Sequence, residues 1–417
     1  MELFSVLAIL LGLTALFSFI NENYLRLETT IGLMVLALAL SLVLAVLKIA
    51  GVIDLVDEQR ALTSELNLSE TLLNGVLCFM LFAGSANVKF KFLDQSKWLI
   101  GSLAIGGTLI AWLLIGSMVW GVTILAGLEI TPVYAFLFGA LISPTDPIAA
   151  LAILGKVGLP KRLEAVISGE SLFNDGVGVV LFTMCLAIAT SPVQPTFGDA
   201  VVLFLQEVLG GVALGAGAAL IMRWMLARTL EYGSHLLISL GIVTLGYALA
   251  EHLEVSGPIA MVVAGLMIGN LGVPDEAPAL KNKMAIFWHG IDETLNALLF
   301  VLIGLNIVLV QPVDSFPAAI AAIVICLVAR MVSVYLPIML LNRTGVIKAE
   351  TWNLTKLMTW GGLRGGLALA LALSIPEAPE KSGVLYMTFA VVAFSIIVQG
   401  LTVGRLFKPE QLQRMIK

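Results

Sequence analysis

The sequence predicts an all-α polytopic membrane protein with thirteen transmembrane helices. Three observations support this fold class. Of the 417 residues, 59% are hydrophobic and only 12% are charged, against about 25% in a typical soluble domain. The apolar residues form runs of about 20, the length that crosses a bilayer as a helix. The 39 glycines suit helices that pack closely inside a membrane.

The same composition excludes several classes of protein. The formal net charge is −5, so no basic surface is expected to bind nucleic acid. No glycine-rich phosphate-binding motif is present, and neither a nucleotide nor a cofactor is expected. Cys78, Cys185 and Cys326 lie in apolar runs, which argues against a disulfide framework. Residues 1–417 are therefore predicted to form a single membrane domain, with no soluble domain.

Thirteen apolar runs follow one another along the chain, and each is predicted to be one transmembrane helix. The first is predicted to be retained, because no small-residue cleavage site follows it. The runs cover residues 3–20, 30–49, 70–87, 98–125, 132–154, 164–189, 200–222, 234–250, 256–270, 286–310, 316–341, 354–375 and 383–406.

The basic residues predict the orientation of these helices. Of the 23 Lys and Arg residues, 18 fall in loops after odd-numbered spans or in the C-terminal tail, and 3 fall in loops on the other side. Cytoplasmic loops carry an excess of Lys and Arg, so the N-terminus is predicted outside and the C-terminus in the cytoplasm. An extra or missing helix would mix the two groups, which supports the count of thirteen.

Five charged side chains lie near the middle of predicted spans, where a charge costs about 2.5–3.5 kcal/mol. They are Asp146, Glu170, Asp175, Arg330 and Arg364. Five ionisable groups at one depth predict a single polar site inside the helix bundle. The alternative is a set of ion pairs that only support packing, and apolar residues could replace such pairs.

Two spans contain sequences that interrupt a helix. The fifth contains residues 143–147, Ser-Pro-Thr-Asp-Pro, and the twelfth has four glycines around Arg364. Prolines remove backbone donors, and unwound backbone at this depth is tolerated beside a cavity or other protein. Since the two spans are seven apart, they run oppositely, which predicts inverted repeats (helices 1–6 and 8–13) whose broken helices cross at the midplane. A simple proline kink and close packing through glycine are the alternatives.

The sixth span places oxygen ligands beside the first break. Ser171 and Asp175 are four residues apart and share one helix face. Together with Thr145 and Asp146 they offer the hard oxygen ligands that suit a small cation such as Na⁺. Because a partly desolvated cavity favours the protonated form of a carboxylate over the charged form, Asp175 is predicted to bind the cation and the proton in turn.

A second polar pair lies on the neighbouring face of the same span. Glu170 and Asn174 are also four residues apart, about 100° around the helix from Ser171 and Asp175 respectively. Glu170 is predicted to be a structural partner of Arg330, with Arg364 as the rival partner. Arg364 could instead balance the C-terminal ends of the broken half-helices.

Five segments resemble the sodium/proton exchanger branch of the cation–proton antiporter superfamily. They are SPTDPIAALAIL, GESLFNDGVGVVLF, TWGGLRGGLALALAL, SGPIAMVVAGLMIGN and NALLFVLIGLNI. The resemblance implies secondary active exchange of a monovalent cation, Na⁺ with Li⁺ or K⁺ as alternatives, for H⁺. Alternating access without a cofactor is the implied mechanism.

The resemblance also implies a homodimer in the cell membrane of a bacterium or archaeon. Each protomer would have a dimerisation part, at about residues 1–87 and 200–310, and a core ion-binding part, at about residues 98–189 and 316–406.

The Asn174-Asp175 pair is similar to that of the electroneutral exchangers, which implies one proton for one cation. Electrogenic relatives have two adjacent aspartates there and a lysine in the tenth span, whereas residues 284–310 contain no lysine. The third span departs from some exchangers, because LFAGSANV contains no carboxylate.

Three other functions compete with this prediction. The nearest is a cation/proton antiporter that prefers K⁺. A passive cation channel is the second, but a channel needs no titrating carboxylate. An intramembrane aspartyl protease could use Asp146 and Asp175 as a dyad sharing a proton, but it would leave the arginines and both helix breaks unexplained.

Overall fold

The computed structural model describes residues 3–50, 75–125, 130–191, 197–273, 278–306 and 316–415. Within these ranges the regular structure is helical except at isolated bridge residues, among which Asp146 and Leu363 form an antiparallel bridge. Nine of the described helices are long and apolar enough to cross a membrane, and three shorter helices are also apolar. The chain is therefore an integral membrane protein built from helices.

The described helices follow the predicted apolar runs, although only part of the predicted run 70–87 is described. The first ten are α1 (Leu3–Ile20), α2 (Thr29–Ile49), α3 (Leu77–Ala86), α4 (Phe90–Gln95), α5 (Lys97–Gly101), α6 (Thr108–Leu125), α7 (Pro132–Ile142), α8 (Ile148–Val157), α9 (Lys161–Thr190) and α10 (Phe197–Leu226). They are followed by α11 (Tyr232–His252), α12 (Gly257–Leu271), α13 (Pro278–Asn306), α14 (Phe316–Arg343), α15 (Thr351–Trp360), α16 (Gly366–Leu373), α17 (Lys381–Phe394), α18 (Leu401–Leu406) and α19 (Pro409–Arg414). Three π-helical turns, Asn21–Leu25, Ser102–Gly107 and Ser395–Gly400, join consecutive elements.

Both predicted interruptions are present as breaks between half-helices. Residues 143–147 separate α7 from α8, and residues 361–365 separate α15 from α16. The two unwound segments meet in antiparallel fashion, where the Asp146 N–H donates to the Leu363 carbonyl oxygen at 2.7 Å. This hydrogen bond satisfies one backbone N–H of the first segment and one carbonyl group of the second, neither of which has a partner within a helix. Backbone polar groups in apolar surroundings need such partners.

One helix, α13, begins eight residues earlier than the sequence predicted, the largest such difference among the described helices. The predicted span began at residue 286, but α13 begins at Pro278. Proline suits the first position of a helix, because its fixed φ is helical and its missing N–H has no partner there. The earlier start moves Asp292 from near the end of the helix to its middle. Residues 307–310 of the predicted span lie outside the described residues.

The helices pack in two groups on either side of α9. In one group α13 packs against α2, and α12 packs against both α3 and α10. In the other group α6 packs against α7 and α14, and α14 packs against α15 and α17. α9 has 30 residues and contacts α7 in one group and α10 and α12 in the other. Its middle therefore lies where the two groups meet.

Candidate cation site

The candidate site lies where the two unwound segments meet the middle of α9. The side chains of Glu170, Ser171 and Asn174 are buried, with residue exposures of 1%, 1% and 0%. Asp146 and Asp175 are half-buried and line a cavity. The site thus has an inner layer of buried polar contacts and an outer layer of two carboxylates.

Glu170 and Arg330 form a buried bidentate ion pair in the inner layer. The Arg330 Nη1 and Nη2 groups donate to Glu170 Oε1 and Oε2 at 2.8 and 3.0 Å, and Arg330 Nε donates to the Met358 carbonyl oxygen at 3.3 Å. The two side chains are 2% and 5% exposed. Of the two candidate partners, the structure therefore places Arg330 against Glu170. A bidentate, buried pair leaves little of the Glu170 charge available to any other ion.

Asn174 joins α9 to the first unwound segment. Its Nδ2 group donates to Glu170 Oε1 at 2.8 Å and to Thr145 Oγ1 at 3.0 Å. Its Oδ1 atom accepts the Thr145 N–H at 3.3 Å. Only an amide can donate and accept in this way. An aspartate at this position would instead set two carboxylates side by side.

Arg364 binds the end of the first half-helix. Its Nη1 group donates to the Ser143 carbonyl oxygen and, at 2.6 Å, to the Pro144 carbonyl oxygen. These carbonyls follow α7, where the helix dipole places partial negative charge. The Arg364 N–H donates to Ser395 Oγ at 2.9 Å, which fixes the second unwound segment. Of the two roles considered for Arg364, the geometry matches the balancing of a half-helix end.

Ser171 and Asp175 point to different surroundings, although they share one side of α9. The Ser171 hydroxyl donates to the Thr145 carbonyl oxygen, and Ser171 does not line the cavity, whereas Thr145 and Asp175 do. The Ser171 oxygen keeps its lone pairs while it donates its proton. The structure therefore brings Ser171 to the unwound backbone but does not place it beside Asp175 on the cavity wall.

The cavity has a volume of about 870 Å³ and is lined by Thr145, Asp146 and Asp175 among other residues. Asp146 and Asp175 are close enough to interact electrostatically. Among the described residues, no side chain donates a hydrogen bond to the Asp175 carboxylate. Two carboxylates of like charge in one cavity favour the uptake of a cation or a proton.

The sequence did not point to two residues of this cavity, Asp292 and Asn296. Both lie on α13 and line the cavity wall, and Asn296 Nδ2 donates to Asp292 Oδ1 at 3.0 Å. Asp292 is the seventh residue of the predicted span 286–310, away from its centre, whereas it lies at the middle of α13. The signal that would have found it was the pair of acidic residues, Asp292 and Glu293, inside an otherwise apolar run.

Within the described residues, no group of three or more His, Cys, Asp or Glu side chains is arranged to hold a metal ion. The oxygen atoms that the cavity offers belong to separate side chains, Thr145, Asp146 and Asp175.

The chain is similar along most of its length to several proteins named as Na⁺/H⁺ antiporters. The family model described as sodium/hydrogen exchanger, transmembrane, matches residues 6–408. The Na⁺/H⁺ antiporter NhaP of Pseudomonas aeruginosa is 42% identical over 410 residues, which are 97% of this chain and 96% of the relative. The Na⁺/H⁺ antiporter NhaH of Halobacillus dabanensis is 33% identical over 377 residues, covering 89% of this chain and 91% of the relative.

A solved structure has a similar fold. The sodium proton antiporter MjNhaP1 from Methanocaldococcus jannaschii at pH 8 superposes with a TM-score of 0.77, covering 97% of this chain and 98% of that chain. The sequence identity is 20%, so this similarity concerns the arrangement of helices.

Proposed function

The chain belongs to the sodium/hydrogen exchanger family, and on that premise we propose that it is an antiporter in which Na⁺ and H⁺ compete for Asp175. One observation supports this assignment above the others. Among the described residues, the Asp175 carboxylate faces the cavity without a hydrogen-bond donor, whereas Glu170 on the same helix is neutralised by Arg330. Asp175 is therefore the acid of α9 whose charge the transported ion can neutralise.

Competition for one carboxylate yields exchange on physical grounds. A charged group in apolar surroundings is costly unless it is neutralised. Either a sodium ion or a proton neutralises Asp175, so the loaded forms of the core can change sides and the empty, charged form cannot. Each half-cycle then moves one ion, and the two half-cycles move Na⁺ and H⁺ in opposite directions.

We assign the other ligands of Na⁺ to Asp146 and Thr145, which line the cavity, and to Ser171, which does not line it but donates a hydrogen bond to the Thr145 carbonyl oxygen. Asp146 shares the cavity with Asp175, and the Thr145 and Ser171 oxygens are held at the unwound segment by hydrogen bonds. Oxygen ligands of this kind suit hard cations. Asn174, Glu170, Arg330 and Arg364 serve as supports, because their contacts hold the unwound segments in place.

We base the proposal of electroneutral exchange, one proton for one cation, on the uncharged Asn174 side chain among the buried polar contacts. Asn174 donates to both Glu170 and Thr145, so it adds no second titrating group next to Asp175. The proposal is that one carboxylate titrates in each cycle and that the membrane potential does not drive the exchange.

The proposed architecture is a bundle of thirteen transmembrane helices with inverted repeats, helices 1–6 and 8–13. The antiparallel meeting of the two unwound segments supports the symmetry. The cavity lies between α3 and α13 of the proposed dimerisation part and α9 and α16 of the proposed core part. In the proposed homodimer the two dimerisation parts stay together, and each core part moves against them. This movement would open the cavity to one side of the membrane and then to the other.

The cavity is proposed to face the cytoplasm in this structure. Lys89 and Lys161 line it and are exposed, and both belong to the loops that carry the excess of basic residues. With the N-terminus outside and the C-terminus in the cytoplasm, the structure represents the inward-facing state.

Transport by purified protein in liposomes tests the function directly. With an imposed pH gradient and an internal pH dye, addition of Na⁺ should collapse the gradient at the same rate whether or not valinomycin and K⁺ clamp the membrane potential at zero. The same assay with Li⁺ and K⁺ measures selectivity and separates a Na⁺ antiporter from one that prefers K⁺. Sodium uptake without proton movement would identify a channel, and no response to any cation would refute the antiporter proposal.

A further inference from the structure

One face of α13 forms a wall of the cavity. Its residues Ala285, His289, Asp292, Asn296 and Leu299 all line the cavity. Their spacing of three or four residues places them along one side of the helix. This side carries a carboxylate, Asp292, that the exchange mechanism above does not use.

The exposure of these side chains shows which end of the wall is deep. His289 is exposed, Asp292 is half-buried and Asn296 is buried, with 4% exposure. At 1.5 Å per residue, His289 and Asn296 are separated by about 10 Å along the helix axis. Asp292 therefore lies between the open mouth of the cavity and its interior.

The Asp292 carboxylate is held in place but not neutralised. Asn296 Nδ2 donates to Asp292 Oδ1 at 3.0 Å and to the Asp292 carbonyl oxygen at 2.9 Å, so the amide fixes both the helix turn and the side chain. Among the described residues Asp292 makes no ion pair. It lies close enough to Asp146 for the two carboxylates to interact electrostatically.

The basic residues at the mouth do not cancel this charge. Lys161 is paired with Glu164 at 2.9 Å, and its side chain is 74% exposed. Lys89 is also exposed, so solvent screens both ammonium groups. Deeper in the cavity, the charged lining residues are Asp146, Asp175 and Asp292. A cleft whose low-dielectric walls carry one sign of charge concentrates ions of the opposite sign.

We infer that Asp292, oriented by Asn296, is a positioning residue for the cation: it holds a monovalent cation between the mouth of the cavity and Asp146, and so sets the apparent affinity for Na⁺. The inference rests on the proposed antiport function and adds to it a cavity residue from α13, outside the two helix breaks. Asp292 would act on cation binding rather than on the maximal rate, since Asp175 remains the group that exchanges Na⁺ for H⁺.

The next residue provides a matched control. Glu293 carries the same charge on the same helix, but it does not line the cavity. Its side chain is 70% exposed and lies 3.3 Å from His289 Nε2. Asp292→Asn and Glu293→Gln thus remove one negative charge each, from inside and outside the cavity.

Sodium-dependent proton movement in proteoliposomes tests the inference, with KM and maximal rate measured at low and high concentrations of choline chloride. Asp292→Asn should raise KM for Na⁺ by about three- to tenfold with an unchanged maximal rate. It should also flatten the rise of KM with ionic strength, because screening has less charge to act on. Glu293→Gln should behave as wild type, and Asp292→Glu should restore the wild-type KM.

Equilibrium binding of ²²Na⁺ to the purified protein provides a second readout that does not depend on exchange. Asp292→Asn should weaken ²²Na⁺ binding by the same factor as it raises KM. A KM and a ²²Na⁺ affinity within about twofold of wild type, or an equal change in Glu293→Gln, would overturn the inference. If wild type bound ²²Na⁺ through Asp292 but moved no protons, the antiport function would fail while the role of Asp292 stood. Asp292→Ser serves as the neutral variant if Asp292→Asn does not fold.

Discussion

At the scale of single residues, the site separates an acid held in a buried ion pair from an acid that faces a cavity. Glu170 has its charge matched by a bidentate arginine, whereas Asp175 faces a cavity. The two lie five positions apart on α9, about 140° around the helix axis, so one helix presents them to different surroundings. Substitution of each residue should therefore affect a different property.

Replacement of Asp175 by asparagine should abolish Na⁺/H⁺ exchange without harming the fold. The amide keeps the shape of the side chain but cannot exchange a proton for a cation. Because it also removes a half-buried charge that accepts no hydrogen bond from a described side chain, the variant should unfold at the same or a higher temperature. Proton movement in proteoliposomes and thermal unfolding in detergent measure the two effects. Exchange at the wild-type rate would contradict the role of Asp175.

Removal of one partner of the Glu170–Arg330 pair should destabilise the protein. Glu170→Ala or Arg330→Ala leaves an unpaired buried charge, for which we expect a loss of about 3–5 kcal/mol in the free energy of unfolding. The double variant should lose less than the sum of the two, with a coupling energy of about 0.5–3 kcal/mol. Strictly additive losses in a thermal or denaturant series would show that the pair does not act as a unit.

At the scale of secondary-structure elements, glycine determines how closely the segments approach. Gly365, the last residue of the second unwound segment, lies against the Asp146 side chain, and a Cβ there would meet the carboxylate. In α10, Gly215 lies against the Ala260 backbone of α12, whereas Gly217 has no atom near its Cβ position within 4 Å. Because glycine has no side chain, neighbouring groups can pack directly against the backbone at Gly365 and Gly215.

Gly365→Ala should impair transport through displacement of Asp146. The added methyl would lie within 2.8 Å of Asp146 Cγ, so the carboxylate must move, and we expect the sodium-dependent rate to fall about tenfold or more. Gly155→Ala on α8 is the control, because nothing lies within 4 Å of its Cβ position. Equal rates for the two variants in proteoliposomes would show that the position of Asp146 is not critical.

Gly215→Ala should weaken the packing of α10 on α12. The new Cβ would approach the Ala260 carbonyl carbon to 2.9 Å, and overpacking of this kind costs about 1–3 kcal/mol. Gly217→Ala, two residues away, should be neutral or stabilise the helix by up to about 1 kcal/mol. Melting temperatures of the purified variants measure the difference, and a Gly215→Ala protein as stable as wild type would contradict the close contact.

At the scale of the whole molecule, the polar site lies between two groups of helices. α9 contacts both groups, and the cavity lies between them. A site at such a boundary can change its exposure when one group moves as a body. The orientation of the whole bundle then decides which compartment the cavity faces.

Cysteine labelling should reveal this orientation. The three native cysteines are buried, so a membrane-impermeant maleimide should leave the wild-type protein unlabelled. Lys161→Cys, where the side chain is 74% exposed, should react in inside-out vesicles and not in intact cells. Glu377→Cys, where the side chain is 92% exposed, should show the opposite pattern. Labelling of both positions from the same side would refute the proposed topology.

Much of the site could be predicted from the sequence because charge is rare in an apolar chain. The five mid-span charges and the proline and glycine interruptions stand out against hydrophobic surroundings, and the structure brings these groups together. The sequence left the partner of Glu170 open between Arg330 and Arg364, because helix periodicity gives the angle of a residue around its own helix but not which neighbouring helix faces it.

The sequence by itself determined the membrane class, the family, the two helix breaks and the residues at the breaks, since each follows from local composition and spacing. Only the tertiary structure decided which arginine neutralises Glu170, that Arg364 binds the carbonyls at the end of α7, and that Asp292 lines the cavity. The physical reason is distance along the chain: these contacts join residues more than a hundred positions apart, and their geometry depends on how whole helices pack against one another.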